Sequence, residues 1–141
     1  MDEKAIPSPG WYRLIIHTDA SCGDRVVGVG YTIRIDGEVY EGATHYEGSY
    51  TSMEAEFLAL KEAAQVAAHF FGKREHLFFY TDCRGLVDKM EEPNGCEKWN
   101  EKRDKLLSIL GRVSAWSIKW VPRERNTDAD ALAHTARDSA A

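Results

Sequence analysis

The chain has 141 residues, of which 43% are hydrophobic and 29% are charged, and its formal net charge is -5. These values are typical of one globular domain, and no apolar run approaches the length that spans a bilayer. Residues 1–10 lack the basic and then apolar pattern of a secretory signal. We therefore expect a cytoplasmic protein with no membrane contact and a short flexible lead-in.

The order of the predicted elements indicates the fold class. In chain order they are strands at 11–20, 26–35 and 38–46, a helix from Thr51 or Ser52 to residue 71, a strand at 76–81, helices at 84–91 and 96–111, a strand at 115–121 and a helix at 126–137. Three hairpin strands followed by alternating helices and strands predict an α/β fold, a five-stranded mixed sheet with helices on its faces. We expect one domain over residues 11–137 and a tail at residues 138–141.

The first two strands carry two specific predictions. Residues 21–24 have the composition of a turn, so strand one is expected to end before them. Gly28 and Gly30 lie in strand two, where a larger side chain would obstruct something close by. We therefore expect another element to approach the backbone of this strand.

Charge is distributed unevenly along the chain. Residues 98–125 contain eight basic and three acidic residues and carry +5, so the remainder carries -10. Lys98, Lys102 and Lys105 share one side of the helix at 96–111, which we call the lysine face. An acidic region beside a basic one suits a polyanion that is held at one place and cut at another. The lysine face could equally be an ordinary solvated helix surface.

Four acidic residues lie where strands end or helices begin. Asp19 and Asp82 close the apolar runs of strands one and four, while Glu56 and Asp130 lie in the first turns of two helices. Carboxylates at element ends can converge on one point, where a cation must neutralise them, and hard oxygen ligands select Mg²⁺ or Mn²⁺. This layout is typical of a two-metal phosphoryl-transfer site.

Each of the four has a simpler alternative. Asp19 alone could be a turn residue at a strand end, and Asp82 could cap the helix that follows it. Glu54 competes with Glu56, because either could be a solvated helix charge or could bind the amides of the first turn. Asp128 competes in the same way with Asp130, as a charge at a helix N-terminus.

Four motifs, in this order, resemble the type 1 ribonuclease H family. They are residues 18–21 (Thr-Asp-Ala-Ser), residues 51–57 around Glu56, residues 81–82 (Thr-Asp) and residues 126–133 around Asp130. The resemblance implies a ribonuclease H-like fold and a single ribonuclease H domain. It also implies catalytic and metal-binding roles for Asp19, Glu56, Asp82 and Asp130.

The resemblance further implies an endonuclease that cuts the RNA strand of an RNA–DNA hybrid with two Mg²⁺ ions. Mn²⁺ is an alternative cofactor, and the products would carry 5′-phosphate and 3′-hydroxyl ends. Double-stranded RNA is left open as a second partner, and a monomer is expected. The residues implied to bind substrate are Ser21, Cys22, Thr51, Ser52, Arg84, Arg123 and Arg125.

The chain departs from the better-known pattern of this family at three places. The loop after strand five has the short Val-Pro-Arg-Glu form and lacks the histidine that many relatives carry, so Arg123 or Arg125 would act there electrostatically. Ser52 and Met53 replace paired asparagines that touch the minor groove. Residues 91–97 are too short for a basic handle, which leaves the lysine face as its replacement.

His134 follows Asp130 by four residues and shares its helical face, so it could serve as an auxiliary residue of the site or be a surface residue. The four tryptophans (Trp11, Trp99, Trp116 and Trp120) are expected in the core.

Two other functions compete with hybrid cleavage: a non-catalytic module that binds hybrids or double-stranded RNA, and a nuclease of the integrase or junction-resolvase type.

Overall fold

The computed structural model describes residues 12–71, 75–92, 95–111, 113 and 115–140. The predicted lead-in at residues 1–10, together with Trp11 and Ala141, lies outside the described residues. Within them, the strands are β1 (Tyr12–Gly23), β2 (Val26–Ile35), β3 (Glu38–Glu47), β4 (Glu75–Thr81) and β5 (Ala115–Trp120). The α-helices are α1 (Ser52–Phe71), α2 (Arg84–Glu91), α3 (Glu97–Ile109) and α4 (Thr127–Ser139), and a short 3-10 helix at Arg123–Arg125 precedes α4.

The strands form one mixed sheet in the order β3-β2-β1-β4-β5. The β3–β2 and β2–β1 pairs are antiparallel, and the β1–β4 and β4–β5 pairs are parallel. The predicted five-stranded mixed sheet is therefore confirmed for the described part of the chain. There, no helix is both long and apolar enough to cross a membrane.

The core lies mainly between the sheet and helices α1, α2 and α3. Its largest buried side chains include Leu14, Ile16, Phe79 and Ile118 from the sheet, which pack with Leu60 and other residues of the helices. Residues that alternate along a strand point to opposite faces. The other face of β1 and β2 is covered by α4.

Gly28 and Gly30 permit this second contact, as the sequence predicts. A Cβ atom on Gly28 would lie 2.1 Å from the carbonyl oxygen of Ala133. A Cβ atom on Gly30 would lie 2.6 Å from the carbonyl oxygen of Ala129. The backbone of α4 therefore passes directly over β2, and any larger residue at either glycine would push the helix away.

The predicted turn at residues 21–24 is wrong. Strand β1 continues to Gly23, which pairs with Val26, so the turn consists of Asp24 and Arg25. Arg25 adopts a left-handed backbone with φ of 60°. Because the turn has only two residues, the β1–β2 ladder extends further than the turn-like composition of residues 21–24 predicts.

Two further boundaries differ from the sequence prediction. The last helix continues to Ser139, so Asp138 belongs to α4 and not to a tail. Its carboxylate accepts a hydrogen bond from Arg137 Nε at 3.0 Å. On the opposite face of the sheet, α3 is shorter than predicted and ends at Ile109.

Candidate active site

The unequal lengths of β1 and β4 open a cleft at one edge of the sheet. The β1–β4 ladder ends where His17 pairs with Tyr80, while the β1–β2 ladder continues to Gly23. Beyond His17, β1 is paired on one side, and the chain leaves the sheet after Thr81. Ligand sites in open α/β sheets form at such carboxyl ends, next to a reversal of strand order. Asp19 and Asp82 both lie at this opening.

Three carboxylates converge there. Asp19, Glu56 and Asp82 each have an oxygen within 4.8 Å of an oxygen of the others. Asp19 is 4% exposed, while Glu56 and Asp82 are half-buried. Asp130 does not belong to this group of three, but it is close enough to Asp19 to raise the pKa of the Asp19 carboxyl group. The structure therefore brings all four predicted acids to one edge of the sheet.

Burial and mutual repulsion make ionisation of these groups costly. The pKa of Asp19 is raised above its usual range, first by burial and then by Asp130 and Asp82. Burial, followed by the charges of Asp19 and Asp82, also raises the pKa of Glu56. The pKa of Asp82 is raised by burial, and the nearby Arg123 guanidinium opposes this shift. No basic side chain of the described residues lowers the pKa of Asp19 or Glu56 in the same way.

The chemistry of these residues fits a divalent cation. Glu56 Oε1 is buried and has no hydrogen-bond partner among the described residues. A buried polar atom without a partner is unfavourable unless a ligand satisfies it. Carboxylate oxygens are the ligands that Mg²⁺ and Mn²⁺ prefer. Asp19, Glu56 and Asp82 could hold one such ion, and Asp130 could join them.

The first turn of α1 separates Glu54 from Glu56. Thr51 and Glu54 form a capping box, in which Thr51 N–H donates to Glu54 Oε1 at 2.8 Å and Glu54 N–H donates to Thr51 Oγ1 at 3.2 Å. Lys98 also forms an ion pair with Glu54 and, as the largest cause, lowers its pKa to about 2. Glu54 therefore starts the helix, while Glu56 faces the cleft.

Asn126 fixes the start of α4 against β1. Its side chain is buried, and Nδ2 donates to the carbonyl oxygen of Thr18 at 2.9 Å. Thr18 precedes Asp19, so one hydrogen bond ties the segment that carries Asp19 to the helix that carries Asp130. Asp128 points elsewhere and pairs with Arg34 at 3.0 Å. Asp130, and not Asp128, thus approaches the cluster.

Trp120 supports the segment around Asp82 from β5. Its indole Nε1–H donates to the carbonyl oxygen of Asp82 at 3.2 Å. The guanidinium of Arg84 stacks on the same indole, 3.8 Å from the ring centroid. Asp82 does not cap α2, because the residue at the N-cap position is Cys83. Trp120 therefore restrains the positions of the Asp82 backbone and the Arg84 side chain relative to each other.

Trp120 also corrects the expectation that the tryptophans are core residues. It is 38% exposed, whereas Trp99 is buried and Trp116 packs partly buried against the core. The position at the end of edge strand β5 explains the difference, because no further strand covers it.

The residues predicted to bind substrate occupy different surroundings. Arg123 faces the cluster and influences the pKa of Asp82, whereas Arg125 lines a small cavity of about 100 Å³ with His17 and Asp128. Ser21 is 6% exposed, and its hydroxyl contacts two side chains of α4. The exposed residues of the predicted set are Cys22, Thr51, Ser52, Arg84, Arg123 and Arg125.

The lysine face is partly engaged within the protein. Lys98 pairs with Glu54, and the Lys102 ammonium lies 5.2 Å from the centroid of the Phe57 ring. Lys105 is exposed. Lys98 nevertheless remains exposed, and Lys102 is half-buried.

Sequence patterns did not reveal Asn126, Trp120 or Arg137 as residues that support the site. Each acts on a residue far away in the chain: Asn126 on Thr18, Trp120 on Asp82, and Arg137 on Ser21. The placement of Asn126 directly before a helix was the signal available for one of them, but an asparagine at that position gives no indication of a bond to β1.

A model of the family described as reverse transcriptase-like matches residues 17–136 of this chain. The matched segment contains all four acids, strands β2 to β5 and the part of β1 from residue 17 onward. A search of curated protein sequences gives no significant match.

Several solved structures have a similar fold. RNase H1 from the halophilic archaeon Halobacterium salinarum NRC-1 is 26% identical, with a TM-score of 0.79 over 90% of this chain and 98% of that one. The same values describe LC11-RNase H1, isolated from compost by a metagenomic approach, in a structure with an RNA/DNA hybrid. The N-terminal RNase H domain of rv2228c from Mycobacterium tuberculosis is 20% identical, with a TM-score of 0.79 over 92% of this chain and 96% of that one, and shares the fold. The family match and these similarities show that the chain belongs to the reverse transcriptase-like family of ribonuclease H proteins.

Proposed function

We propose that this protein is a metal-dependent endonuclease that hydrolyses the RNA strand of RNA–DNA hybrids. The observation that carries the proposal is the convergence of Asp19, Glu56 and Asp82 within 4.8 Å at an open sheet edge. Family membership and the similarity to LC11-RNase H1, whose structure contains an RNA/DNA hybrid, support this substrate.

In the proposed mechanism, Asp19, Glu56, Asp82 and Asp130 would hold two Mg²⁺ ions, with Mn²⁺ as an alternative. When bound, the ions supply stabilisation of the charge that develops on the attacking and leaving oxygens of the phosphodiester. The products are proposed to carry 5′-phosphate and 3′-hydroxyl ends, and the active species to be a monomer.

The basic side chains around the cluster have a positioning role in this proposal. Arg123 faces Asp82 and can bind a phosphate oxygen, but it cannot transfer protons near neutral pH. Arg84 is held by stacking on Trp120 and therefore presents its guanidinium in a fixed orientation at low entropic cost. Both residues would align the strand over the carboxylates. Ser21, Cys22, Thr51, Ser52 and Arg125 remain candidates for further substrate contacts.

A second candidate is a binding module that holds hybrids or double-stranded RNA without cutting them. It is favoured by the absence of a histidine from residues 121–126 and by Ser52-Met53 at the positions of the minor-groove asparagines. Against it, converging carboxylates repel a phosphate strand unless cations neutralise them.

The test is cleavage of an end-labelled RNA–DNA hybrid by the purified full chain with Mg²⁺ or Mn²⁺. We expect cleavage of the RNA strand that stops when the metal is chelated, and no cleavage by Asp19→Asn. Glu75→Gln is a matched control, because it neutralises a buried carboxyl group outside the cluster. Single-stranded RNA, double-stranded RNA and branched DNA complete the substrate panel.

Two results would contradict the proposal. Undiminished cleavage by Asp19→Asn would show that the cluster does not catalyse the reaction. Salt-dependent binding of the hybrid without turnover in either metal would favour the binding module, and preferred cleavage of branched DNA would favour a resolvase.

A further inference from the structure

A line of side-chain contacts runs along one face of α4 and ends at Asp130. His134 Nε2 lies 3.3 Å from Asp130 Oδ1, and His134 Nδ1 lies 3.3 Å from the hydroxyl oxygen of Ser21. Arg137 Nη1 donates to the same Ser21 oxygen at 2.8 Å. Asp130, His134 and Arg137 are spaced by four and three residues, which places them on one helical face.

The donors and acceptors of this line have a defined direction. Arg137 can only donate, so Ser21 accepts its hydrogen bond and keeps a hydroxyl hydrogen of its own. An ionised Asp130 carboxylate can only accept, which places a hydrogen on the facing His134 Nε2 and leaves Nδ1 of a neutral imidazole to accept from Ser21. A neutral imidazole that accepts at Nδ1 carries its proton on Nε2, which faces Asp130. A protonated imidazole also carries a hydrogen on Nε2. In both states His134 therefore offers a donor to the Asp130 carboxylate.

We infer that His134 is a positioning residue that orients the Asp130 carboxylate toward a bound cation, and that Ser21 and Arg137 fix the imidazole for this task. The inference rests on the proposed function in that Asp130 is taken as a metal ligand. It gives a role to a histidine on α4 in a chain whose loop after β5 contains none.

Two observations distinguish this arrangement from an ordinary surface histidine. The His134 side chain is 49% exposed, but its anchor Ser21 is buried and belongs to β1, two residues after Asp19. The imidazole contacts Ser21 through one ring nitrogen and Asp130 through the other, which restrains its orientation. Partners that hold a metal ligand in this way typically contribute about 10- to 100-fold to metal affinity.

The test measures Mn²⁺ binding by isothermal titration calorimetry on the full chain without substrate. We expect His134→Ala to weaken the affinity about 10-fold, because the freed carboxylate must be ordered by the ion itself. His134→Gln retains an N–H donor at the end of its side chain and is expected to recover most of the loss. Thr135→Ala changes the next, exposed residue of α4 and serves as the matched control, with affinity equal to that of the wild type.

Ser21→Ala tests whether the anchor acts through the histidine. Alone, it is expected to weaken Mn²⁺ binding by a smaller factor than His134→Ala. In the double variant with His134→Ala it is expected to have no further effect, since the imidazole it fixes is gone. Thermal unfolding without metal checks that each variant is folded.

Cleavage kinetics provide an independent measurement. For His134→Ala we expect kcat at low metal concentration to fall and to recover as the metal concentration is raised, while KM for the hybrid stays unchanged. A residue that only stabilises the fold would not give a loss that excess metal restores.

Equal Mn²⁺ affinity of His134→Ala and the wild type would overturn the inference, as would a Ser21→Ala effect that persists undiminished in the double variant. Failure of the proposed function is distinguishable, because a wild type that binds Mn²⁺ without cutting the hybrid still reports on His134. A wild type that binds no Mn²⁺ would overturn both.

Discussion

Strand β4 has a buried carboxyl group at its start and a half-buried one immediately after its end, and the two have different surroundings. Glu75 begins the strand, is 0% exposed, and neither of its oxygens has a hydrogen-bond partner among the described residues. Burial alone raises the pKa of Glu75 to about 7. Asp82 follows the strand and shares its surroundings with Asp19, Glu56 and Asp130.

The difference shows how isolation and clustering change the behaviour of a buried acid. An isolated buried carboxyl group becomes neutral by taking up one proton. A cluster raises the pKa of each member by repulsion as well as burial, and a divalent cation can neutralise several members together while they remain ionised. We therefore expect Glu75 to govern stability and the cluster to govern metal binding and catalysis.

The largest expected effect separates the two carboxyl groups by activity. Glu56→Gln should lower kcat on the hybrid by about 1000-fold, because losing several kcal/mol of metal-dependent stabilisation costs about tenfold per 1.4 kcal/mol. Glu75→Gln should leave kcat unchanged. The measurement is single-turnover cleavage at saturating Mg²⁺, and similar losses in the two variants would remove the distinction.

Metal addition should stabilise the protein through the cluster and more strongly at high pH. The pKa values of Asp19 and Glu56 are raised in the folded state. Without metal, these two groups stabilise the fold while they are protonated, and this stability is lost as the pH rises through their folded-state pKa values. Mg²⁺ binds the ionised forms, so its affinity increases over the same range. At a metal concentration of about 100 times the dissociation constant, the free energy of unfolding should increase by about 3 kcal/mol.

Thermal unfolding with and without Mg²⁺ at acidic and alkaline pH measures this effect. The shift in Tm should be larger at alkaline pH, should vanish in Asp19→Asn and should persist in Glu75→Gln. A shift that is equal at both pH values, or that survives in Asp19→Asn, would contradict the assignment of the metal to the cluster.

Glu75 should produce a smaller, metal-independent change of stability with pH. Its pKa rises from the ordinary 4.5 to about 7 on folding, so stability is fully present below about pH 4.5 and is lost as pH rises toward 7. The loss should be on the order of 1 to 3 kcal/mol. Denaturant unfolding of the wild type and Glu75→Gln across this range measures the difference between their free energies of unfolding. A difference that does not change with pH would show that Glu75 makes no contribution.

The smallest expected effect concerns the support of Asp82 by Trp120. Trp120→Phe keeps a ring beneath Arg84 but removes the hydrogen bond to the Asp82 carbonyl, so kcat should fall about fivefold for the loss of roughly 1 kcal/mol. Trp120→Leu removes the stacking as well and should also raise KM. Unchanged kcat in the phenylalanine variant would show that Asp82 is positioned without the indole.

The sequence was sufficient to predict features that depend on local patterns. The order of elements, the helix start at Thr51 or Ser52 and the close approach over Gly28 and Gly30 follow from periodicity, helix-start chemistry and the steric demand of glycine. The turn after β1 was mispredicted because residues 21–24 have turn composition, yet ladder pairing of Gly23 with Val26 prevails over it. The exposure of Trp120 depends on its place in an edge strand, which strand order alone decides.

The fine structure of the site depends on distant residues and could not be predicted. The contact of Ser21 with Arg137 joins positions 116 apart in the chain, and that of Asn126 with Thr18 joins positions 108 apart. No local pattern encodes such pairs, because each arises from the exact position of α4 on the sheet. The structure also separates Arg123 from Arg125, which the sequence left equivalent.

The bond between Asn126 and Thr18 has a consequence for how this protein can be re-engineered. Because the start of α4 is anchored at Asn126, the preceding connection from Val121 does not itself determine where Asp130 lies. Extra residues could therefore be grafted between Val121 and Pro122, ahead of the 3-10 helix that carries Arg123, for example a longer loop bearing a histidine, while the acids keep their spacing. The short loop is thus an insertion point at which the chemistry of the cleft can be extended.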